Sequence, residues 1–327
     1  MSKALKKEVK KYNEILKKIK QEIAKVVVGQ ERIINALLRG IIADGHVLVE
    51  GVPGIAKTLI VRALGKVSGC EVKRIQFTVD LLPTDILGLT IYSKKLGKFI
   101  FVKGPIFANF VIADEINRAP PKTQSALLEA MQEKQVTIGR HTFQLPLPFF
   151  VMATQNPIET AGVNPLPEAQ IDRFLFKIYM YYPNQAEEEK IMKHNITLKK
   201  FEEYNLRTVT SPKQIIEMQK VVKKIYISKE VEKYIVRIVR ATRTKNKAIP
   251  LTKYIEYGAS PRASIGLFIG SKAEALLNGS DHVTPQHVKN VAFDVLRHRI
   301  ILNYAGQAEG IKTDKIIEEI LNKVPVP

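Results

Sequence analysis

Residues 46–58, "HVLVEGVPGIAKT", decide how this chain folds, because an apolar run leads there directly into a loop with two glycines. The run "HVLVE" predicts a buried strand, and the apolar spacing from Thr58 to Val67 predicts a helix. Between them, "GVPGIAKT" (51–58) follows the phosphate-binding pattern G-x-x-x-x-G-K-[ST] except at Ala56, where the pattern has glycine. Strand, glycine loop and helix in this order are the context that a phosphate site requires. On its own, the motif fits either a working site or a chance or decayed match.

The loop has the residue types that phosphate chemistry needs. Backbone N–H groups at a helix N-terminus attract a phosphate through both hydrogen bonds and the helix dipole. Lys57 is predicted to place its ammonium on the β- and γ-phosphates, and Thr58 to give its hydroxyl to Mg²⁺. We predict helical dihedral angles for Ala56 and a methyl group clear of the phosphates, because alanine costs little in a helix. The predicted nucleotide-binding residues of the loop are Gly51, Pro53, Gly54, Ile55, Ala56, Lys57, Thr58 and Leu59.

The composition limits the class of protein. With 327 residues, 45% of them hydrophobic, the chain can form one large domain and a smaller one. It has no apolar run long enough to cross a membrane, and its first twenty residues have no apolar signal-peptide core. Cys70 is the only cysteine, which excludes internal disulfides, and the six histidines show no metal-binding spacing. We therefore expect a cytoplasmic protein that is not membrane-embedded.

The net charge of +19 raises the question of nucleic acid, so its distribution matters. Residues 1–25 contain nine lysines against three glutamates, and residues 184–327 contain 25 basic against 16 acidic residues. The segment with the glycine loop, residues 26–183, contains 17 basic and 13 acidic residues. Lysine dominates, and no nucleic-acid recognition motif accompanies it. We favour a solvated lysine-rich surface over a nucleic-acid interface.

Short apolar runs alternate with helical patterns through the first part of the chain. This alternation predicts an α/β domain with a largely parallel sheet. Two further stretches, Gly88–Val102 and Gln135–Leu145, read as pairs of short strands inserted into that domain. The five runs predicted as buried strands are His46–Glu50, Val72–Phe77, Asn109–Ala113, Phe149–Ala153 and Phe174–Met180.

The ends of the chain have a different pattern. Residues 3–24 place apolar side chains on one stripe with lysines on the other faces, which predicts an amphipathic basic helix that packs on the next domain. After Pro183 the strand signals fade and helical patterns continue to the end. We therefore predict three segments: a helix over 1–25, the α/β domain over 26–183 and a helical domain over 184–327.

Two apolar strands end in polar residues of catalytic type. "FVIADEINRA" (110–119) ends its apolar run at Asp114 and Glu115, where Asp114 would hold Mg²⁺ and Glu115 would polarise the attacking water. "FFVMATQNP" (149–157) places Asn156 to bond that water or the γ-phosphate. Each motif alone also has an ordinary structural explanation: an acidic strand end for Asp114 and Glu115, and an Asn–Pro turn for Asn156. Their combination with the Lys–Thr loop favours a nucleotide site.

Two arginines are candidates for stabilising phosphate charge. Arg173 in "LPEAQIDRF" precedes a predicted strand, and it would serve a neighbouring subunit's γ-phosphate or form an ordinary pair with Asp172. In "GASPRA" (258–263), Arg262 lies in the first turn of a predicted helix. A cation there opposes the helix dipole, which indicates an anionic partner.

Together, "GVPGIAKT", "ADEINRAPPKTQSALLEAMQE", "ATQNPIE", "LPEAQIDRF", "GASPRAS" and "DVLRHRI" resemble the signatures of AAA+ ATPases, specifically the MoxR family, in the family's order. The resemblance runs from about Val26 to Arg299. It implies an α/β P-loop NTPase (AAA+) domain, with a parallel sheet and helices on both faces, followed by a smaller all-helical lid domain. It also implies ATP and Mg²⁺ as ligands.

The same resemblance implies residue roles and partners. Lys57 and Thr58 would form Walker A, and Asp114 and Glu115 Walker B. The remaining roles are Asn156 as sensor 1, Arg173 as a finger acting in trans, Arg262 as sensor 2, and Val28 and Gly29 as adenine contacts. The implied function is a hexameric, chaperone-like ATPase that remodels or activates protein complexes with von Willebrand factor A domain proteins. The alternative is an AAA+ motor or loader that acts on nucleic acid.

Overall fold

The computed structural model describes residues 3–52, 56–139, 141–156, 163–194 and 201–327. The helices are α1 Lys3–Ile23, α2 Glu31–Ile42, α3 Lys57–Ser68, α4 Pro83–Leu87, α5 Pro121–Glu133, α6 Glu168–Ile171, α7 Gln185–His194, α8 Pro212–Lys224, α9 Lys229–Ala241, α10 Pro261–Leu277, α11 Pro285–Leu296, α12 Tyr304–Ala308 and α13 Thr313–Lys323. The strands are β1 Val47–Gly51, β2 Val72–Gln76, β3 Gly88–Ser93, β4 Lys98–Lys103, β5 Phe110–Asp114, β6 Gln135–Ile138, β7 His141–Gln144, β8 Phe150–Gln155, β9 Phe176–Met180, β10 Ile255–Tyr257 and β11 Ile301–Leu302.

The five predicted strands form one parallel sheet in the order β2-β5-β8-β1-β9, which confirms the α/β prediction. The prediction that all five are buried is wrong for β2, because this strand lies at the end of the sheet and most of its residues are exposed. Because all five strands run the same way, the sheet has two chemically different edges. We call them the carboxyl-end edge, where each strand stops, and the amino-end edge, where each begins. Gly51 at the carboxyl-end edge pairs with Met180, and Val47 at the amino-end edge pairs with Phe176.

Each face of the sheet has its own apolar cluster. Val49 and Ile112 pack on one side with α1, α2, α3 and the helices after Pro183. Their alternate neighbours Leu48 and Val111 pack on the other side with α5. This alternation follows from the pleat of a strand, and it requires helices on both faces, as predicted.

Both predicted insertions are antiparallel strand pairs. β3 and β4 pair from Gly88–Lys103 to Ser93–Lys98, and β6 and β7 pair from Gln135–Gln144 to Ile138–His141. The β3–β4 hairpin is unusually apolar at its surface, since Phe99 is 70% exposed and Tyr92 is 55% exposed. The two rings contact each other edge to face.

Helix α1 joins the first and last parts of the chain. Its apolar stripe is buried and packs against α3, α8 and α10, which confirms the predicted packing. Asn13 lies in the same buried face, and its Nδ2 donates to the carbonyl oxygens of Leu276 and Leu277 at 3.2 and 2.7 Å. The lysine side chains Lys7, Lys11 and Lys18 are exposed.

Beyond Pro183 the described elements are helices, to which the structure adds the two-stranded antiparallel sheet of β10 and β11. The apolar cluster on one face of the main sheet continues without a break into these helices. The boundary at Pro183 and the three segments therefore stay a prediction. Within the described residues, no helix is long and apolar enough to cross a membrane.

Candidate functional site

The glycine loop lies at the carboxyl-end edge, between the last residue of β1 and the start of α3. Pro53, Gly54 and Ile55 lie outside the described residues. Ala56 has φ 63° and ψ 21°, so the prediction of helical dihedral angles is wrong. The helix begins one residue later, at Lys57, and Ala56 occupies the left-handed position that glycine adopts without strain. The Ala56 side chain is exposed.

Lys57 turns back toward the end of β1, where its Nζ donates to the carbonyl oxygen of Gly51. Burial lowers the pKa of its ammonium, and the negative charges of Asp114, Glu115 and Glu50 oppose this shift. The ammonium therefore sits in the field of the strand-end carboxylates. Thr58 follows in the first turn of α3 and is half-buried.

Thr154 joins the acidic residues at the end of β5. Its hydroxyl donates to Asp114 Oδ1 at 2.6 Å and accepts a hydrogen bond from the Glu115 backbone N–H at 2.9 Å. Glu115 has φ 56° and ψ 48°, so the chain turns sharply where the strand stops. Asn156 comes two residues after Thr154 at the same edge and is buried. Sequence reasoning missed Thr154, although a threonine two residues before a predicted sensor is a usable signal.

Two polar residues of β2 complete this carboxylate network. Arg74 donates to Asp114 Oδ2 from Nε at 3.0 Å and from Nη2 at 2.6 Å. Gln76 Nε2 donates to Glu115 Oε2 at 2.7 Å, and Arg118 Nε lies 3.1 Å from the same oxygen. No sequence motif marks Arg74 and Gln76, which are alternate residues of the strand that pairs with β5. The carboxylates of Asp114 and Glu115 are therefore both held by nitrogen donors.

The two predicted arginines lie at the opposite edge of the sheet. Asp172 and Arg173 lie a few residues before β9, and the backbone N–H of Leu175 donates to the carbonyl oxygen of His46 just before β1. Arg262 Nη1 donates to Asp172 Oδ2 at 3.2 Å, which places Arg262 at the residue that precedes Arg173 in the chain. The length of β1, about 16 Å for five residues, separates this edge from the glycine loop. The structure thus brings Lys57, Asp114, Glu115 and Asn156 together and places Arg173 and Arg262 elsewhere.

Asp172 does not pair with Arg173. Its carboxylate accepts hydrogen bonds from Arg262, from Arg299 Nε at 2.8 Å and from Ser260 Oγ at 2.9 Å. The side chain of Arg173 is exposed and forms no ion pair with any residue that the structure describes. The ordinary Asp172–Arg173 surface pair considered above is therefore absent from the described part of the chain.

The predicted adenine contacts line a cavity of about 520 Å³ at the carboxyl-end side of β9. Val28 and Gly29 form one wall, and Tyr181 and Tyr182 form another. A Cβ on Gly29 would lie 2.3 Å from Glu187 Oε1, and its φ of 69° also favours glycine. Flat aromatic walls and a glycine that keeps the cavity open suit a planar base. Sequence reasoning missed the tyrosines, since "YMYYP" reads only as the end of a strand.

A second cavity, of about 730 Å³, shares these tyrosines and extends to the glycine loop. Gly51 and Val52 line one side, and Ile311 and Asp314 line the other. The two cavities share Tyr179, Tyr181 and Tyr182; one is lined by the predicted base contacts and the other by the start of the phosphate loop. Residues around the start of α13 therefore border the site, although no motif marked them.

This fold and site define an ATPase of the AAA class. The family model described as "ATPase family associated with various cellular activities (AAA)" matches residues 46–176, and the AAA lid domain matches residues 251–320. The chain belongs to the MoxR family. It is 45% identical to "Chaperone MoxR1" of Mycobacterium tuberculosis over 94% of this chain and 81% of that protein.

Two further relatives extend over nearly the whole chain. "Uncharacterized protein YeaC" of Bacillus subtilis is 45% identical over 96% of this chain and 95% of that protein. The crystal structure of a "putative ATPase" from Cytophaga hutchinsonii has a TM-score of 0.92 and 48% identity, and it covers 99% of this chain and 98% of that one. Nucleotide binding follows from the family.

Proposed function

We propose that this ATPase works as a ring in which ATP lies between two subunits. One subunit supplies the carboxyl-end edge with Lys57 and Glu115, and its neighbour supplies the amino-end edge with Arg173 and Arg262. The observation that carries this proposal is the separation of these groups within one chain by the length of β1. A hexamer is the ring size that the family resemblance favours.

At the carboxyl-end edge, each side chain has a distinct role in phosphoryl transfer. Lys57, whose ammonium lies in the field of the strand-end carboxylates, neutralises charge on the β- and γ-phosphates. Glu115 orients the attacking water and accepts its proton, and Asn156 fixes the water or the γ-phosphate. Arg173 and Arg262 of the neighbour stabilise the charge that spreads over the equatorial oxygens in the transition state.

The donor set fits Mg²⁺. Magnesium binds through one or two protein oxygens together with substrate phosphates and waters, and it needs no cage of side chains. Thr58 and Asp114 supply a hydroxyl and a carboxylate at one edge, in accord with that requirement. Held by Thr58 and Asp114, Mg²⁺ would supply positive charge that offsets the negative charge of the phosphates. Both Asp114 oxygens already accept hydrogen bonds, Oδ1 from Thr154 and Oδ2 from Arg74, so Mg²⁺ would share this carboxylate with those two residues.

The energy of ATP hydrolysis is used to remodel a protein client, and a von Willebrand factor A domain protein serves as the adaptor. The relative named "Chaperone MoxR1" supports a protein client. The exposed apolar side chains of the β3–β4 hairpin, among them Tyr92, Leu96 and Phe99, also support it, because such patches mark protein contacts. A nucleic-acid motor would instead show ATPase activity that is stimulated by DNA and DNA binding that weakens steeply with salt.

Mixed rings test the shared site. Arg173→Ala damages the amino-end edge, and Glu115→Gln damages the carboxyl-end edge, so each variant alone should be inactive. Mixing them should restore part of the ATPase activity, because some interfaces then combine two intact edges. Arg173→Ala mixed with Arg262→Ala is the matched control and should stay inactive, since both variants damage the same edge. Failure of the first mixture to exceed its parents, despite proven co-assembly, would refute the shared site.

A Glu115→Gln ring should also hold ATP and client together. Affinity capture with this variant should retain a protein that is absent when Lys57→Ala, which is expected not to hold ATP, is used as bait. Recovery of DNA rather than protein would favour the nucleic-acid alternative.

A further inference from the structure

The carboxylate of Asp172 is the meeting point of three side chains at the amino-end edge. Oδ1 accepts from Arg299 Nε at 2.8 Å, and Oδ2 accepts from Ser260 Oγ at 2.9 Å and Arg262 Nη1 at 3.2 Å. Ser260 and Arg262 begin α10, and Arg299 follows α11. One aspartate therefore ties the start of β9 to two separate elements of the C-terminal part.

Arg299 fixes the backbone on both sides of Arg173. Its Nη2 donates to the carbonyl oxygens of Asp172 at 3.1 Å and Phe174 at 2.7 Å, and its Nη1 donates to Leu175 at 3.3 Å. The Arg299 side chain is only 3% exposed, and burial lowers the pKa of its guanidinium to about 10 against the opposing charge of Asp172. A buried guanidinium needs a carboxylate partner, so Asp172 is what allows Arg299 to hold this backbone.

Asp172 orients the Arg262 side chain but uses only one of its hydrogen-bond donors. Its guanidinium has five N–H donors, and the contact with Asp172 uses Nη1 alone among the described residues. The side chain is 48% exposed, so its remaining donors face solvent. A planar guanidinium held at one nitrogen keeps a fork for two oxygens of another anion.

We propose that Asp172 is a positioning residue that presents Arg173 and Arg262 together to one phosphate group of the neighbouring subunit. Asp172 holds the Arg262 side chain by a direct hydrogen bond. It holds Arg173 indirectly, because it pairs with Arg299, which donates to the backbone on both sides of Arg173. This inference rests on the proposed ring and its shared site. It assigns the alignment of two arginines, one before β9 and one on α10, to a single carboxylate.

Asp172→Asn tests the inference, because it keeps the size of the side chain and removes its charge. We expect kcat of the ring to fall about 10- to 100-fold, as for a displaced catalytic group, with ATP affinity of the subunit's own loop changed less than about twofold. Asp44→Asn is the matched control. Asp44 pairs with Lys134 at 2.5 Å near the same edge and contacts neither arginine, so its loss should leave kcat unchanged.

Mixed rings distinguish a positioning role of Asp172 from a merely structural role, because a structural role would not produce the pattern of restored activity described next. Asp172→Asn mixed with Glu115→Gln should regain activity, and Asp172→Asn mixed with Arg173→Ala should not. Asp172→Glu keeps the charge that Arg299 needs but shifts the carboxylate, and it should lower kcat less than Asp172→Asn does. This second variant decides the question if the asparagine variant does not assemble.

These experiments distinguish failure of the positioning role of Asp172 from failure of the shared site. Parental kcat in both Asp172 variants, or a loss no larger than in Asp44→Asn, would overturn the positioning role and leave the shared site intact. If Arg173→Ala with Glu115→Gln regains no activity, the shared site itself is wrong and the role of Asp172 fails with it.

Discussion

Ala56→Gly should stabilise the protein, although glycine usually weakens a fold. Ala56 has φ 63°, and a left-handed residue with a Cβ costs about 1–2 kcal/mol. Glycine removes that cost but loses about 0.5–1 kcal/mol more conformational entropy on folding. The free energy of unfolding should therefore rise by roughly 0.5–1 kcal/mol, measured by urea denaturation without nucleotide. Because the Ala56 side chain is exposed, ATP affinity should change by less than about threefold.

The matched control is Ala43→Gly. Ala43 ends α2 with φ −80° and ψ −2°, a right-handed conformation in which alanine has no strain. The same substitution there should lower the free energy of unfolding by about 1 kcal/mol. A loss of stability at both positions would refute the strain at Ala56. A tenfold gain in ATP affinity for Ala56→Gly, ~1.4 kcal/mol, would show that the methyl group obstructs the phosphates.

Three further predictions concern Arg74, Leu16 and His46. Arg74→Ala should lower the Mg²⁺ concentration that gives half-maximal ATPase activity about two- to fivefold, because a half-exposed cation no longer competes for Asp114; Arg74→Lys should lie between. Leu16→Ala should lower the free energy of unfolding by about 2–5 kcal/mol in urea denaturation, since Leu16 is buried in the face of α1. Burial lowers the pKa of His46 to about 4, so stability is complete above about pH 6.5 and falls toward pH 4 by on the order of 3 kcal/mol, as denaturation across that window should show.

The sequence alone was sufficient to predict the strands of the main sheet and the half of the site that lies at the carboxyl-end edge. β5 and β8 each contain a continuous buried apolar run; Asp114 is the last residue of β5, and Asn156 directly follows β8. Residues that follow parallel strands must share the carboxyl-end edge, so their meeting with Lys57 is predictable. By the same rule, Arg173 precedes a strand and belongs to the opposite edge, a signal that the sequence analysis did not use.

Other features depend on contacts between distant parts of the chain. The conformation of Ala56 depends on whether α3 starts at residue 56 or 57, and helix starts cannot be located that finely from spacing. The position of Arg262 depends on the docking of α10 against Asp172, 90 residues earlier. The pairing of Arg74 with Asp114 requires β2 and β5 to be neighbours, which the order of motifs along the chain does not reveal.

The packing of α1 has a consequence for how the protein is made. Asn13 bonds to Leu276, 263 residues further along the chain. At ribosomal speeds of about 5–20 residues per second, roughly 13–50 s separate the synthesis of these two partners. During that interval the apolar stripe of α1 lacks its partners on α8 and α10, and it exposes apolar surface through which nascent chains can associate. The lysines on the other faces of α1 add positive charge, and the same charge on other copies of this chain opposes their association through the exposed stripe.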